Sequence, residues 1–151
     1  MTAQALEVLR QYPFIEEFDP RHVDTLTMLA AEMSFAAGEV IFREGDKCGR
    51  FYVILSGSVA LEACHPGGAV LIQTLHAGDE LGWSALLDRR KKFQARAVEP
   101  VEALAFDAAK LWDACHGDPQ FGSALFYRLF TVVARRLQGT RGQLAAALAR
   151  G

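Results

Sequence analysis

Hydrophobic spacing divides this chain into three stretches. In the first, Val23, Leu26, Leu29 and Ala30 recur at helical intervals behind Asp19-Pro20, an N-cap followed by a proline where its missing N–H costs nothing. A shorter helix is predicted to begin near Thr2 and to end at Tyr12-Pro13, because the residue before a proline avoids helical geometry. From Ser34 to Phe106 the pattern changes to short apolar runs: Val40–Phe42, Phe51–Leu55, Val59–Cys64, Ala69–Leu75, Phe93–Val98 and Val101–Phe106. Turn residues such as Glu44-Gly45-Asp46, Ser56-Gly57 and Gly78-Asp79 separate them. Runs this short and this regular predict antiparallel strands in a sandwich, barrel or roll. No crossover helix intervenes, so a parallel sheet is disfavoured. Cys64-His65-Pro66-Gly67-Gly68 reads as a hairpin tip, and one helical turn is expected between Gly82 and Asp88.

Beyond Asp107 the helical period returns. Asp107 caps one short helix, and Asp118-Pro119 repeats the cap-plus-proline device for a second that runs to about Ala149. Roughly thirty residues at about 1.5 Å each give about 45 Å, too long to bury against so small a body. Phe126, Phe130, Val133, Leu137, Thr140, Leu144 and Ala147 fall four and three apart along it, the spacing of a coiled-coil seam. Leu125, Leu129 and Val132 form a second stripe. The first stripe is expected to pair with a second copy of the chain, making a homodimer, while the second covers the sheet. Gly139 and Gly142, each costing about 1 kcal/mol inside a helix, predict either close approach of another backbone or fraying after Gln138.

Composition narrows the class. The chain has 151 residues, of which 51% are hydrophobic, enough for one domain with a real core. No apolar run reaches the roughly 18 residues of a membrane span, and Met1–Arg10 lacks the basic and apolar regions of a signal peptide. A cytoplasmic protein with no membrane contact is the expectation. Three cysteines, Cys48, Cys64 and Cys115, make no disulfide framework. The four histidines show no ligand spacing, so no metal is expected. Nor is there a G-x-S-x-G elbow or a P-loop, and Glu16-Glu17 and Asp79-Glu80 read as surface acids rather than a facing catalytic pair; no catalytic residue is assigned. Charge is uneven: Asp118 is the last acid, and Arg128, Arg135, Arg136, Arg141 and Arg150 follow it. A second basic cluster, Arg89-Arg90-Lys91-Lys92, lies mid-chain. Both read first as solvated surface. Trp112 reads as core.

The order of parts, with Val40 to Asp46 and Phe51 to Val59, Gly78 to Gly82 and Ala134 to Thr140 in that sequence, resembles the cyclic-nucleotide-binding domain of the cAMP receptor protein/FNR (Crp/Fnr) family. Val40-Ile41-Phe42-Arg43-Glu44-Gly45-Asp46, with Phe51 to Val59, looks like the front half of that family's β-roll. Gly78-Asp79-Glu80-Leu81-Gly82 looks like the approach to its phosphate-binding cassette, and Ala134 to Thr140 is similar to its dimerisation helix. The resemblance covers essentially the whole chain. It implies a mainly β fold, a jelly-roll-like, cupin-like double-stranded β-helix over 34–106. N-terminal helices lie within 1–30 and C-terminal helices within 107–149, in a single unit spanning 1–151. It implies a regulatory ligand sensor. No helix-turn-helix follows, so direct sequence-specific DNA binding is not expected, although a protein partner is.

The cassette of such domains is approximately F-G-E-x-A-L, a variable loop, then P-R-[ST]-A. Where its ribose-binding Glu belongs, this chain has Trp83, whose indole donates one hydrogen bond and accepts none. Counting back from Arg96-Ala97, the phosphate-binding Arg falls on Lys91, the Ser/Thr on Lys92, the small Ala on Phe93 and the proline on Arg90; the gap leaves Lys91 and Lys92 interchangeable. What survives is Gly82 and the N–H groups of Ser84 and Ala85, with the Ser84 hydroxyl beside them. Thr140 stands where the family's long helix presents a hydroxyl to the base. Two lost contacts at about 1.5–3 kcal/mol each would move micromolar binding toward millimolar. Weak or absent cAMP and cGMP binding is therefore expected, with another phosphate-bearing or anionic ligand in its place and no other cofactor. The alternative is a ligand-free dimeric interaction module in which Trp83 and Phe93 fill the roll.

Overall fold

The computed structural model describes Ala3, Glu7, Arg10 and Ile15 and the stretches 18–47, 49–87 and 90–151. The expected first helix from Thr2 to Tyr12 falls largely outside them. Glu16-Glu17, Cys48, Asp88 and Arg89 also lie outside the described residues.

Helix α1 (Pro20–Leu29) is capped by Asp19, whose carboxylate accepts the Arg21 N–H at 2.9 Å. Eight strands follow: β1 (Ala30–Phe35), β2 (Val40–Phe42), β3 (Arg50–Ser56), β4 (Val59–His65), β5 (Gly68–Leu75), β6 (Glu80–Leu81), β7 (Gln94–Ala97) and β8 (Val101–Asp107). A single 3-10 turn, Trp83–Leu87, separates β6 from β7. Helices α2 (Ala108–Gly117) and α3 (Pro119–Arg150) complete the chain, capped by Asp107 and Asp118 as the sequence predicts. Among the described residues no helix is long and apolar enough to cross a membrane.

The strands form two four-stranded sheets, ordered β1-β8-β3-β6 and β2-β7-β4-β5, with every pair antiparallel. This mainly β roll with helices at one side is the expected fold class. One boundary differs: the spacing placed Ala30 in the helix, yet it opens β1 opposite Phe106. Ladder pairing with β8 overrides a helical period that the isolated segment would have continued. Phe93 and Val98, expected at the ends of a strand, flank β7 instead.

Alternation along β3 and β8 builds two cores at once. Tyr52, Ile54, Ala103 and Ala105 point between the sheets, meeting Phe35, Phe42, Val59, Leu75 and Leu81. Phe51, Val53, Leu104 and Phe106 point the other way, against Leu26, Leu111, Phe121, Leu125, Leu129 and Val132 from the helices. Each large side chain buried there is worth roughly 1.5–3 kcal/mol. The second stripe of α3 therefore covers the sheet as expected. From Leu137 onward every residue of α3 is exposed, and the helix continues without a break through Gly139 and Gly142.

An ion pair ties neighbouring strands of the second sheet, and a glycine shapes the turn that leads into it. Glu62 on β4 accepts both Arg96 Nε at 3.1 Å and Arg96 Nη2 at 3.2 Å, with Gln94 Nε2 at 3.2 Å, both partners on β7. The Arg96 guanidinium holds the Glu62 carboxyl below its ordinary range, against a smaller opposing effect of burial. Gly57, between β3 and β4, has φ +88°, and a Cβ there would lie 2.3 Å from the Pro100 carbonyl oxygen. Only glycine accepts both conditions.

Gly57→Ala should destabilise the chain by at least about 2 kcal/mol in urea unfolding, since strain and a backbone clash act together. A carboxyl depressed in the folded state contributes stability above its unfolded pKa and loses it as pH falls through the folded value. Arg96→Leu should therefore lower stability at pH 7, with the difference from wild type shrinking toward pH 3; a pH-independent difference would remove the ion pair as its cause.

Candidate functional site

The site begins with a two-residue strand. In β6, Leu81 pairs with Tyr52 and Glu80 with Val53. Because Tyr52 faces the space between the sheets and Val53 faces the helices, Leu81 enters the roll and Glu80 is carried toward α3. Gly82 then turns the chain at φ +83°, where a Cβ would stand 3.0 Å from the Arg50 carbonyl oxygen. The 3-10 turn follows. Ala85 and Leu86 are buried in the helix-side core, and Trp83 packs half-buried against it. Trp112 of α2 donates from Nε1 to the Leu86 carbonyl at 2.8 Å, so its indole anchors the turn as well as packing.

The returning segment settles which lysine faces the turn. The Lys91 N–H donates to the Asp46 carbonyl at 2.9 Å, and Gly45 N–H donates to the Lys91 carbonyl at 2.7 Å. Arg90 reaches the Gly45 carbonyl at 3.0 Å from the exposed side. Clamped in this way, Lys91 is 3% exposed while Arg90 and Lys92 are exposed. Its Nζ donates to the Gly82 carbonyl at 3.1 Å and to Ser84 Oγ at 3.0 Å, and lies 4.8 Å from the centre of the Phe42 ring.

Beside Ser84 is a cavity of about 160 Å³. Phe42, Leu61, Leu81, Trp83 and Phe93 form its apolar walls, and Gly82, Ser84, Lys91, Lys92 and Arg136 its polar side. Of the expected ligand-binding residues, Gly82, Trp83, Ser84, Lys91 and Lys92 are thus together. Ala85 and Thr140 are not. Ala85 N–H donates to the Gly82 carbonyl at 3.0 Å, within the turn itself. Thr140 is exposed and lines a neighbouring groove of about 120 Å³ between α3 and the β5 side of the roll, with Ile72, Asp79 and Gln143. Phe93, at 39% exposure, stands on the cavity rim.

Arg136 lines both the cavity and the groove. It donates from Nη2 to the Glu80 carbonyl, and the same nitrogen is 3.9 Å from Glu80 Oε2. Burial pushes the Glu80 carboxyl up, with Arg136 pulling against it, and burial likewise lowers the Arg136 guanidinium. The reading of Asp79-Glu80 as surface acids is therefore corrected: Glu80 is 6% exposed, because β6 aims it at α3. Asp79 accepts the His76 N–H at 2.8 Å within its own loop. The sequence presents Arg136 as tail charge within the segment similar to the dimerisation helix. Its signal was the spacing itself: Leu125, Leu129 and Val132 are followed at the next step by Arg136, then Gly139 and Gln143, and this stripe runs from the core directly along the groove.

On the other stripe, Phe130, Leu137 and Leu144 are 71%, 49% and 58% exposed in the single chain. Phe126 instead turns inward, its ring 5.3 Å from that of Trp112.

Comparison with known proteins agrees with this geometry. Residues 32–118 match the family described as cyclic nucleotide-binding domain. A CRP-like cAMP-activated global transcriptional regulator from Mycobacterium tuberculosis (strain ATCC 25618 / H37Rv) is 26% identical over 141 residues, 92% of this chain. The chain spans 61% of the length of that relative. Among solved structures, the N-terminal domain of a transcriptional regulator from Streptomyces coelicolor A3(2) superposes with a TM-score of 0.71 at 27% identity, covering 91% of this chain and 94% of that one. A cyclic nucleotide-binding domain from Methylobacillus flagellatus KT shares the fold at a TM-score of 0.82 and 18% identity, covering 94% and 81%. With the roll, the turn after Gly82 and the long α3 all in place, the chain belongs to the cyclic nucleotide-binding domain family of the Crp/Fnr type.

Proposed function

We propose that this chain is a ligand-sensing regulatory domain whose roll takes an anionic ligand other than cAMP or cGMP, and that it acts by binding rather than catalysis. One observation carries the reading: the Lys91 ammonium, itself 3% exposed and 3.0 Å from Ser84 Oγ, stands at the buried side of a half-open pocket in the roll. In such a low-dielectric place a charge interaction is several times stronger than in water. Lys91 thereby takes the part of the family's phosphate-binding Arg as a point charge without a bidentate fork. Trp83 supplies no acceptor for a sugar hydroxyl. Arg136 provides the route outward. A ligand anion that reaches its guanidinium competes with Glu80, and that competition changes how α3 sits against β6. Such a shift needs the ligand to favour one arrangement over the other.

The partner for α3 is a second copy of the chain. Phe130, Val133, Leu137 and Leu144 present an apolar seam at heptad spacing, and beyond the helix's own adjoining backbone no atom of the described residues lies within 4 Å of where a Cβ on Gly139 or Gly142 would sit, which leaves room for another helix.

Calorimetric titration with cAMP, cGMP, inorganic phosphate, AMP and phenyl phosphate tests the site. At least one anion should give saturable heat, the cyclic nucleotides none below millimolar concentration, and Lys91→Met should weaken the binding anion at least tenfold. Absence of Lys91-dependent heat across the panel would discard the sensor reading in favour of a ligand-free module. In sedimentation, the wild type should run as a dimer and Val133→Asp as a monomer at low micromolar concentration; equal masses would discard the seam.

A further inference from the structure

The cavity in the roll does not have the character of a nucleotide site. Its apolar part consists of Phe42, Trp83 and Phe93 with Leu61 and Leu81, and its polar part is gathered at the Ser84 hydroxyl and the cations Lys91, Lys92 and Arg136. Among the described residues lining it there is no Asp, Glu, Asn or Gln, so its described walls are aromatic, aliphatic and cationic in character. Its volume, about 160 Å³, is room for one ring beside the walls, since an apolar cavity of about 150 Å³ holds one benzene molecule, with the open rim at Phe93 leading outward. A purine nucleoside exceeds this and would have to extend past Arg136 into the groove, across the side chain that is tied to Glu80.

We infer that the ligand is a single aromatic ring carrying one anionic group, a small aryl carboxylate or aryl phosphate, seated with its ring against Phe42, Trp83 and Phe93. This rests on the reading that the cavity is a ligand site and names the class that fits it. Ser84 Oγ accepts a hydrogen bond from Lys91 Nζ, so the hydroxyl proton is directed elsewhere and can be given to the ligand's anion. Lys91 contributes its charge from within 3.0 Å of that hydroxyl, and Lys92 and Arg136 add positive charge from the other sides. The rings supply face and edge contacts whose preference for another ring adds about a factor of two to ten over plain burial. Polarity at one end and aromatic walls at the other select for an amphiphilic anion, because either half alone leaves its counterpart in the cavity unsatisfied.

The test uses the full chain, with phenyl phosphate, phenylacetate, inorganic phosphate and cAMP as probes in calorimetry. Phenyl phosphate or phenylacetate should bind at least tenfold more tightly than inorganic phosphate and than cAMP. Phe93→Ala, on the exposed rim, should weaken that aryl anion three- to tenfold with an unchanged melting temperature, and Ser84→Ala should weaken it by a similar factor while also lowering the melting temperature, because it removes an acceptor from buried Lys91. Equal or tighter binding of cAMP overturns the ligand class while leaving an anion site in place. Equal affinity for inorganic phosphate overturns the aromatic half. Aryl binding indifferent to both substitutions overturns the seat, and silence from every anion overturns the sensor reading on which the inference rests.

Discussion

The central strands β3 and β8 are buried on both faces, and the rest of the molecule depends on that constraint. Side chains alternate strictly along a strand, so the same seven-residue segment must complement the opposite sheet on one side and three helices on the other. A slip of one residue would exchange Phe51 and Val53 for Tyr52 and Ile54 in both cores at once. No such slip is tolerable, and this rigidity reaches the site through β6. Paired to β3, Glu80 and Leu81 inherit its alternation, which sends one toward α3 and the other into the roll.

The turn after β6 is held from three directions. Gly82 takes a backbone angle that side chains oppose, Leu86 is fastened to Trp112 of α2, and Lys91 is clamped to the β2–β3 loop by two backbone hydrogen bonds. Burying an ammonium is costly unless its protons are accepted, and the Gly82 carbonyl and Ser84 hydroxyl do so. The polar end of the cavity is therefore preformed. A ligand entering it would not have to order a flexible lysine, whose immobilisation costs about 1–2 kcal/mol of rotamer freedom.

Two ion pairs in the molecule illustrate different uses of charge. Glu62 and Arg96 meet through a bidentate geometry across neighbouring strands, with Gln94 adding a third contact, and they act as a register pin. Glu80 and Arg136 are more deeply buried and more loosely matched, the carboxylate 3.9 Å from the guanidinium. Desolvation pushes both toward their neutral forms. A loosely matched buried pair is weak evidence for stability and a natural place for a competing anion to intervene. The helix that carries Arg136 also carries the exposed apolar seam.

Much of this architecture was legible along the chain. The three Asp caps, the hairpin at Pro66-Gly67, the strand runs and the division of α3 into two stripes are local matters: hydrogen bonding within a few residues and the period of side-chain direction decide them. Other features depended on contacts between residues far apart. Lys91 and Lys92 are adjacent and chemically identical, and only the clamp from Gly45 and Asp46 buries one and exposes the other. Glu80 looked like surface until pairing with β3 turned it inward, and Ala30 looked helical until β8 offered a ladder. Trp83, which the sequence offers either as a ligand contact or as a plug, lines the pocket with part of its ring against the helix-side core. The sequence by itself determined the elements and their amphipathic faces, since those follow from nearest neighbours. Tertiary structure alone decided which polar groups share one pocket, because burial and charge depend on what the rest of the chain places opposite them.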